Sequence, residues 1–160
     1  KEREDKERLM RMCRASSSMP LVSPMVNIDG VPYLDGGLAD SVPIMHSIID
    51  GNRKNVVVLT KEEGYRRKRS SSLGLIRLRY ARYPKVYELM ANRHIAYNEM
   101  LDYLKAQEEK GQAFVIRPRK ASDVGRIEKD KEKLRRLYEE GYQDAEEGYG
   151  RMMAYLENRV

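Results

Sequence analysis

The residues best equipped for chemistry lie in Tyr33-Leu34-Asp35-Gly36-Gly37-Leu38-Ala39-Asp40-Ser41-Val42-Pro43. A carboxylate, Asp35, closes a short apolar approach and is followed by two residues without side chains. Glycines open backbone conformations closed to other residues and leave nothing to block a ligand. A carboxylate on such a turn can take a proton from a hydroxyl placed against it. It can equally bond its own backbone two residues on, as Asp does in ordinary turns. Cation binding by Asp29, Asp35 and Asp40 is a poorer use, because the spacing lacks the alternating oxygens and closing Glu of a calcium loop. Neither metal nor cofactor is expected.

A partner hydroxyl is harder to find. Ser16, Ser17 and Ser18 cluster, but none lies in Gly-x-Ser-x-Gly, the sharp strand-to-helix turn that exposes a nucleophilic serine, and the chain contains no such pentad. They read as structural serines in a loop or packing site. His46 has no partner in sequence, and Cys13 sits in a charged helical pattern, so neither reads as a catalyst.

The elements that must position Asp35 follow from local pattern. Lys1 to Arg14 is a charged run with apolar residues near its end, the tail of a helix; opening on Lys rather than Met is expected of a segment excised from a longer protein or of a processed chain. Pro24–Ile28 and Val31–Leu34 read as two strands around Asp29-Gly30, a hairpin signal. Asp35 then stands at a strand end, with the apolar approach Val31–Leu34 expected to bury it in part. Asp40 or Ser41 can cap a helix with Pro43 in its first turn, an apolar stripe of Ile44, Met45, Ile48 and Ile49, and Gly51 at its end. Val56–Leu59 is a β-branched run expected to be covered on both faces, and strand, helix and strand suggest a βαβ unit. Lys61–Ser72 reads as a loop. A helix is expected from Pro84 to Lys110, broken near Asn92 and ended by Gly111. Phe114–Ile116 is a second buried strand, and a last helix spans Asp130 to about Asn158 with Leu134, Leu137, Tyr138, Tyr142 and Ala145 on one side. Glu-Glu-Gly-Tyr recurs at 62, 139 and 146, too unevenly for a repeat architecture.

Composition sets the outer bounds. The chain has 160 residues, 41% hydrophobic and 35% charged, with mean hydropathy −0.74, enough for one domain with a core. No apolar run reaches the roughly 20 residues of a membrane helix, and a single cysteine suits a reducing compartment. A net charge of +6 favours anionic surfaces, although 25 acidic residues are interleaved with 31 basic ones.

Asp35-Gly36-Gly37, with Pro43 after the polar pair Asp40-Ser41, resembles the Asp-Gly-Gly/Ala motif of patatin-like phospholipases. Arg14-Ala15-Ser16-Ser17-Ser18-Met19-Pro20-Leu21-Val22-Ser23-Pro24 looks like the segment preceding that motif. Asn55-Val56-Val57-Val58-Leu59-Thr60 and Ala113-Phe114-Val115-Ile116-Arg117-Pro118 are similar to segments of a bacterial patatin branch with a helical C-terminal extension. The likeness covers nearly the whole chain but only the C-terminal part of the family's domain. It implies an α/β fold: an incomplete patatin-like three-layer sheet with helices on both faces. Residues 1–79 would complete the catalytic domain, and 80–160 would be mainly helical with one strand near 112–117.

The resemblance also implies a serine–aspartate dyad that hydrolyses lipid esters through an acyl-enzyme. Asp35 matches the dyad aspartate, which would hold the serine hydroxyl, accept its proton and later help water release the acyl group. Gly36, Gly37, Asp40, Ser41 and Pro43 match its supporting motif; many members carry Asn where Ser41 stands. The family's glycine-rich oxyanion loop and serine elbow lie upstream of the matching region, so the nucleophile is outside this chain. The parent protein is then a hydrolase and this chain alone inactive, with an ester substrate and the missing N-terminal part of its own domain as partners.

The alternative is a non-enzymatic basic helical module holding nucleic acid or an acidic membrane surface, with Tyr65, Tyr80 and Tyr83 near arginines. Arg66-Arg67-Lys68-Arg69 can contact anionic headgroups or be a solvated loop. The expected location is cytoplasmic, with peripheral membrane contact through that cluster. Oligomeric state is open.

Overall fold

The computed structural model describes residues 2–125 and 128–157, with backbone alone for residues 2–4. Lys1 and Asn158, which bound the expected first and last helices, lie outside them. The fold is mixed α/β with incomplete sheets of two strands each and a long C-terminal helix. The chain divides into two compact units that interleave in sequence, Lys1–Pro43 with Arg67–Met100, and Ile44–Arg66 with Leu101–Val160. None of the described helices is long and apolar enough to cross a membrane.

In the first unit, α1 (Glu2–Ser16) packs on a hairpin of β1 (Val26–Ile28) and β2 (Val31–Tyr33). Val26 pairs with Tyr33 and Ile28 with Val31, antiparallel. The turn between them needs two left-handed residues, and Asp29 (φ 52°) and Gly30 (φ 84°) supply them. Alternation then decides burial: Val26 and Ile28 point inward onto Ala15, while Asn27 points out. Strand β2 is exposed along its length, while Leu34 and Asp35 just beyond it are partly buried. A 3₁₀ turn (Gly36–Leu38) follows. Helix α3 (Leu73–Arg79), for which sequence pattern provides no clear signal, buries Ile76 completely. The Tyr80 hydroxyl accepts the N–H of Leu21, whose φ of 68° is rare for a bulky residue.

Helix α4 (Pro84–Glu109) contributes residues to Met100 to this unit and from Leu101 to the second. It runs unbroken through Asn92, contrary to expectation, because nothing there interrupts the backbone ladder. Gly111, at φ 69°, ends it as foreseen.

In the second unit, α2 (Ile44–Ile49) is closed by Gly51 at φ 90°, whose N–H reaches the Ile48 carbonyl. Strand β3 (Asn55–Val58) pairs in parallel with β4 (Ala113–Ile116). The expected βαβ unit joining β2 to β3 therefore does not form: β2 is spent on the hairpin, and the parallel partner of β3 is β4. Nor is β3 covered on both faces, since Val58 is 69% exposed; a two-stranded sheet has too few neighbours for that.

Helix α5 (Lys131–Glu157) lies along β4, with the Phe114 and Tyr155 rings 5.9 Å apart. Its C-terminal carbonyls, at Tyr155 and Leu156, take hydrogen bonds from Lys54 Nζ. At the other end Asp130 Oδ1 accepts the N–H groups of Glu132 and Lys133, at 2.9 and 3.3 Å. Replacing Asp130 by Ala leaves those donors to water and costs about 0.5–2 kcal/mol. Hydrogen exchange reads this as faster exchange confined to the first turn of α5.

Candidate functional site

Asp35 is held by backbone and by its own turn. Beyond α1 the chain folds back on the last carbonyls of that helix. Ser17 Oγ donates toward Cys13 and Arg14, and Ser18 Oγ to Arg14 at 2.7 Å. Ser18 is buried, and its carbonyl accepts the Asp35 N–H at 2.9 Å. The hydroxyls of Ser17 and Ser18 are thus used structurally, and the second of these serines ties the Asp35 turn to the end of α1.

Asp35 caps the 3₁₀ turn, its Oδ1 accepting the Gly37 N–H at 2.7 Å. The self-bonded turn is therefore present, but it engages one oxygen. Asp35 is half-buried, and Oδ2 has no hydrogen-bond partner among the described residues. An ionised carboxylate has about four lone-pair sites on two oxygens. One oxygen sets the orientation here, and the other can receive a hydroxyl.

Gly37 is the tight point. A Cβ there would stand 3.0 Å from Asp35 Oδ1 and 3.4 Å from Arg93 Nη2, whereas at Gly36 it would meet open space. Neither glycine has a positive φ, so the expected backbone freedom is not what they supply; Gly37 is needed for room. Its carbonyl accepts Ser41 Oγ at 2.7 Å and Arg93 Nε at 3.0 Å. Asp40 Oδ1 accepts the Val42 N–H. Asp40 and Ser41 therefore brace the loop rather than capping α2 as expected, and Pro43 immediately precedes that helix.

Arg93, on α4, is the residue that sequence reasoning missed. It is 56 positions from Gly37 and carries no motif; only folding singles it out from the other cations. The other carboxylates of the sequence analysis go elsewhere, with Asp29 pairing to Arg8 at 2.9 Å. No three His, Cys, Asp or Glu side chains converge as a metal site among the described residues. His46 is exposed on α2.

Two members of the basic cluster are engaged within the chain. Arg66 pairs with Asp102, and its N–H bond holds that carboxyl below the usual carboxylate range. Arg67 stacks on the Tyr97 ring at 4.2 Å, and its backbone N–H binds Asn98. Lys68 and Arg69 have no such partner among the described residues. In the second unit a cleft of about 630 Å³ is lined by paired charges such as Arg117–Glu108 and Arg119–Asp144. Its lining includes no serine, cysteine or histidine, and so no hydroxyl or thiol nucleophile and no imidazole base.

Two family models match the chain. One, described as a patatin-like phospholipase, matches residues 1–48, which include the Asp35 turn and its supports through Pro43. The other, described as a domain of unknown function, DUF6363, matches residues 83–157. No curated protein matches. The likeness to patatin-like phospholipases is therefore carried by the N-terminal part of the chain. This corrects the expectation that it runs nearly throughout, since Asn55–Thr60 and Ala113–Pro118 both fall outside that match and the second falls within the other.

Proposed function

We propose that this chain carries the aspartate half of a patatin-like acyl hydrolase, with Asp35 as the proton acceptor of a serine–aspartate dyad. The observation that carries the reading is the half-buried carboxylate, one oxygen pinned by the Gly37 N–H and the other without a hydrogen-bond partner among the described residues. A base held in one orientation can meet a serine hydroxyl without first reorganising. Asp35 takes the hydroxyl proton as serine attacks an ester carbonyl, and returns it to the leaving alcohol. It then repeats the exchange with water to release the acid.

The serine and the oxyanion donors come from sequence outside residues 1–160, which contain no Gly-x-Ser-x-Gly. The substrate class is a lipid or other carboxylic ester. In this reading residues 1–79 belong to the catalytic domain and 80–160 to a mainly helical region; the patatin-like match lies within the first range and the DUF6363 match within the second. In this reading contact with an anionic membrane falls to Lys68 and Arg69, with Arg66 and Arg67 beside them, on a protein of the cytoplasm or its membrane surface.

The test compares the 160-residue chain with the same chain preceded by its native upstream sequence, using p-nitrophenyl butyrate and a fluorophosphonate label. The longer protein is expected to hydrolyse the ester and be labelled on one serine, while the shorter does neither. Asp35-dependent hydrolysis by the shorter chain, or an unlabelled and inactive longer one, overturns the reading.

A further inference from the structure

Helix α3 leaves two leucines in the open. At about 100° per residue, Leu75 and Leu78 lie about 60° apart on its surface. Ile76, about 160° round from Leu78, is completely buried and fixes which way the helix faces. Leu75 is 57% exposed, and Leu78, at 77%, is the most exposed large apolar side chain among the described residues. Arg77 borders the pair on the Leu78 side and Arg79 on the Leu75 side, both of them exposed. The outer face is therefore an apolar centre with an arginine at each edge.

The charge around this face is of one sign. Between Glu63 and Glu88 the chain has eight basic residues and no acidic one. All 25 acidic residues lie outside that segment with 23 of the 31 basic ones, so the excess of positive charge is concentrated within it. Arg66 pairs with Asp102, Lys85 with Glu88, and Arg67 stacks on Tyr97. Lys68, Arg69, Arg77, Arg79 and Arg82 have no acidic partner among the described residues. A basic run without an apolar face anchors weakly. The fold supplies that face, on a helix the sequence pattern did not signal.

We propose that the outer face of α3 is an interfacial anchor for an anionic lipid surface, with Leu75 and Leu78 entering the acyl boundary and Arg77 and Arg79 at the headgroups. Arginine stems lie along apolar surface while their guanidinium groups stay among phosphates, which suits cations placed at the edges of a leucine pair. Each cation held near an acidic membrane changes partitioning about fivefold. A nucleic acid would engage the same arginines through its phosphates but leave the leucines in water. The contact takes in Lys68 and Arg69, and to that extent rests on the reading above; it does not depend on Asp35.

Vesicle co-sedimentation tests this with the 160-residue chain and with the same chain preceded by its native upstream sequence. Both should bind phosphatidylcholine–phosphatidylglycerol vesicles at least about tenfold more tightly than phosphatidylcholine alone. Leu75→Ala with Leu78→Ala should weaken that binding about tenfold, and Arg77→Gln with Arg79→Gln about ten- to thirtyfold, each with an unchanged circular dichroism spectrum. The chain has no tryptophan, so Leu78→Trp gives a lone reporter. Its emission should move to the blue on anionic vesicles and be quenched by brominated lipid. Vesicle binding indifferent to the leucine pair overturns the anchor while leaving a contact through Lys68 and Arg69. Failure of the longer protein to bind where the shorter one does overturns it too, and would mean that upstream sequence covers α3. Oligonucleotide binding tighter than vesicle binding and insensitive to the leucine pair would assign the arginines to nucleic acid instead. Partitioning is read without ester turnover, so a longer protein that binds vesicles through the leucines yet hydrolyses nothing upholds the anchor and counts against Asp35 alone.

Discussion

Asp35→Asn, made in the protein that includes its upstream sequence, lowers kcat/KM for ester hydrolysis by about a thousandfold or more, while urea unfolding is unchanged. The substitution separates the two tasks of the side chain. The amide oxygen of asparagine still accepts the Gly37 N–H, now at 2.7 Å to Asp35 Oδ1, so the 3₁₀ turn keeps its cap. What is lost is the proton acceptor. A thousandfold drop corresponds to about 4 kcal/mol of transition-state stabilisation, a size characteristic of a missing base in an acyl-transfer dyad or triad. Loss of activity together with a lower urea midpoint would instead mark Asp35 as a structural cap. Activity within about tenfold of wild type would remove it from the dyad, since general-base catalysis contributes at least a hundredfold.

The second large effect concerns the glycine pair, whose members are not equivalent. Gly37→Ala places a methyl group 3.0 Å from Asp35 Oδ1 and 3.4 Å from Arg93 Nη2, so the carboxylate, the guanidinium or both must shift. Overpacking of this kind costs about 1–3 kcal/mol. Moving the carboxylate from its set orientation costs activity as well, because a displacement near 1 Å can lower rates about a hundredfold. Gly36→Ala meets nothing within 4 Å and requires no unusual φ, so it should leave stability and hydrolysis near wild type. The comparison is made by chemical unfolding and by kcat/KM on the same two variants. Equal effects at 36 and 37 would mean that backbone conformation, not space beside the carboxylate, explains the pair.

Local chemistry was legible wherever a structural decision is made by neighbours in sequence. Asp29-Gly30 makes a two-residue hairpin turn because those residues tolerate positive φ, and Gly51 and Gly111 end helices for the same reason. Asp130 starts α5 because its side chain reaches N–H groups two and three residues on. The Asp35 turn was readable as a place where a carboxylate meets paired glycines, and as one that can bond its own backbone. The structure bears out the second, with one oxygen taking the Gly37 N–H.

What only the tertiary structure decided involves partners far apart in the chain. Periodicity identifies β3 as a strand but says nothing of its neighbour, and β4 lies more than fifty residues away. Pairing thus exposed Val58 where a buried run was expected. Arg93 reaches Gly37 across 56 positions, and no local propensity encodes such a contact. The last helix is plain in sequence, yet which of its residues meet β4 is not: Tyr155 packs on Phe114, whereas Tyr138 and Tyr142, expected on one side with Leu137, stay exposed. Turn and cap energies are settled within a few residues, so sequence alone indicates most of them, Asp40 and Ser41 before α2 being the exception. Strand pairing and helix orientation depend on long-range contacts, each weak on its own, and emerge only when the chain has folded.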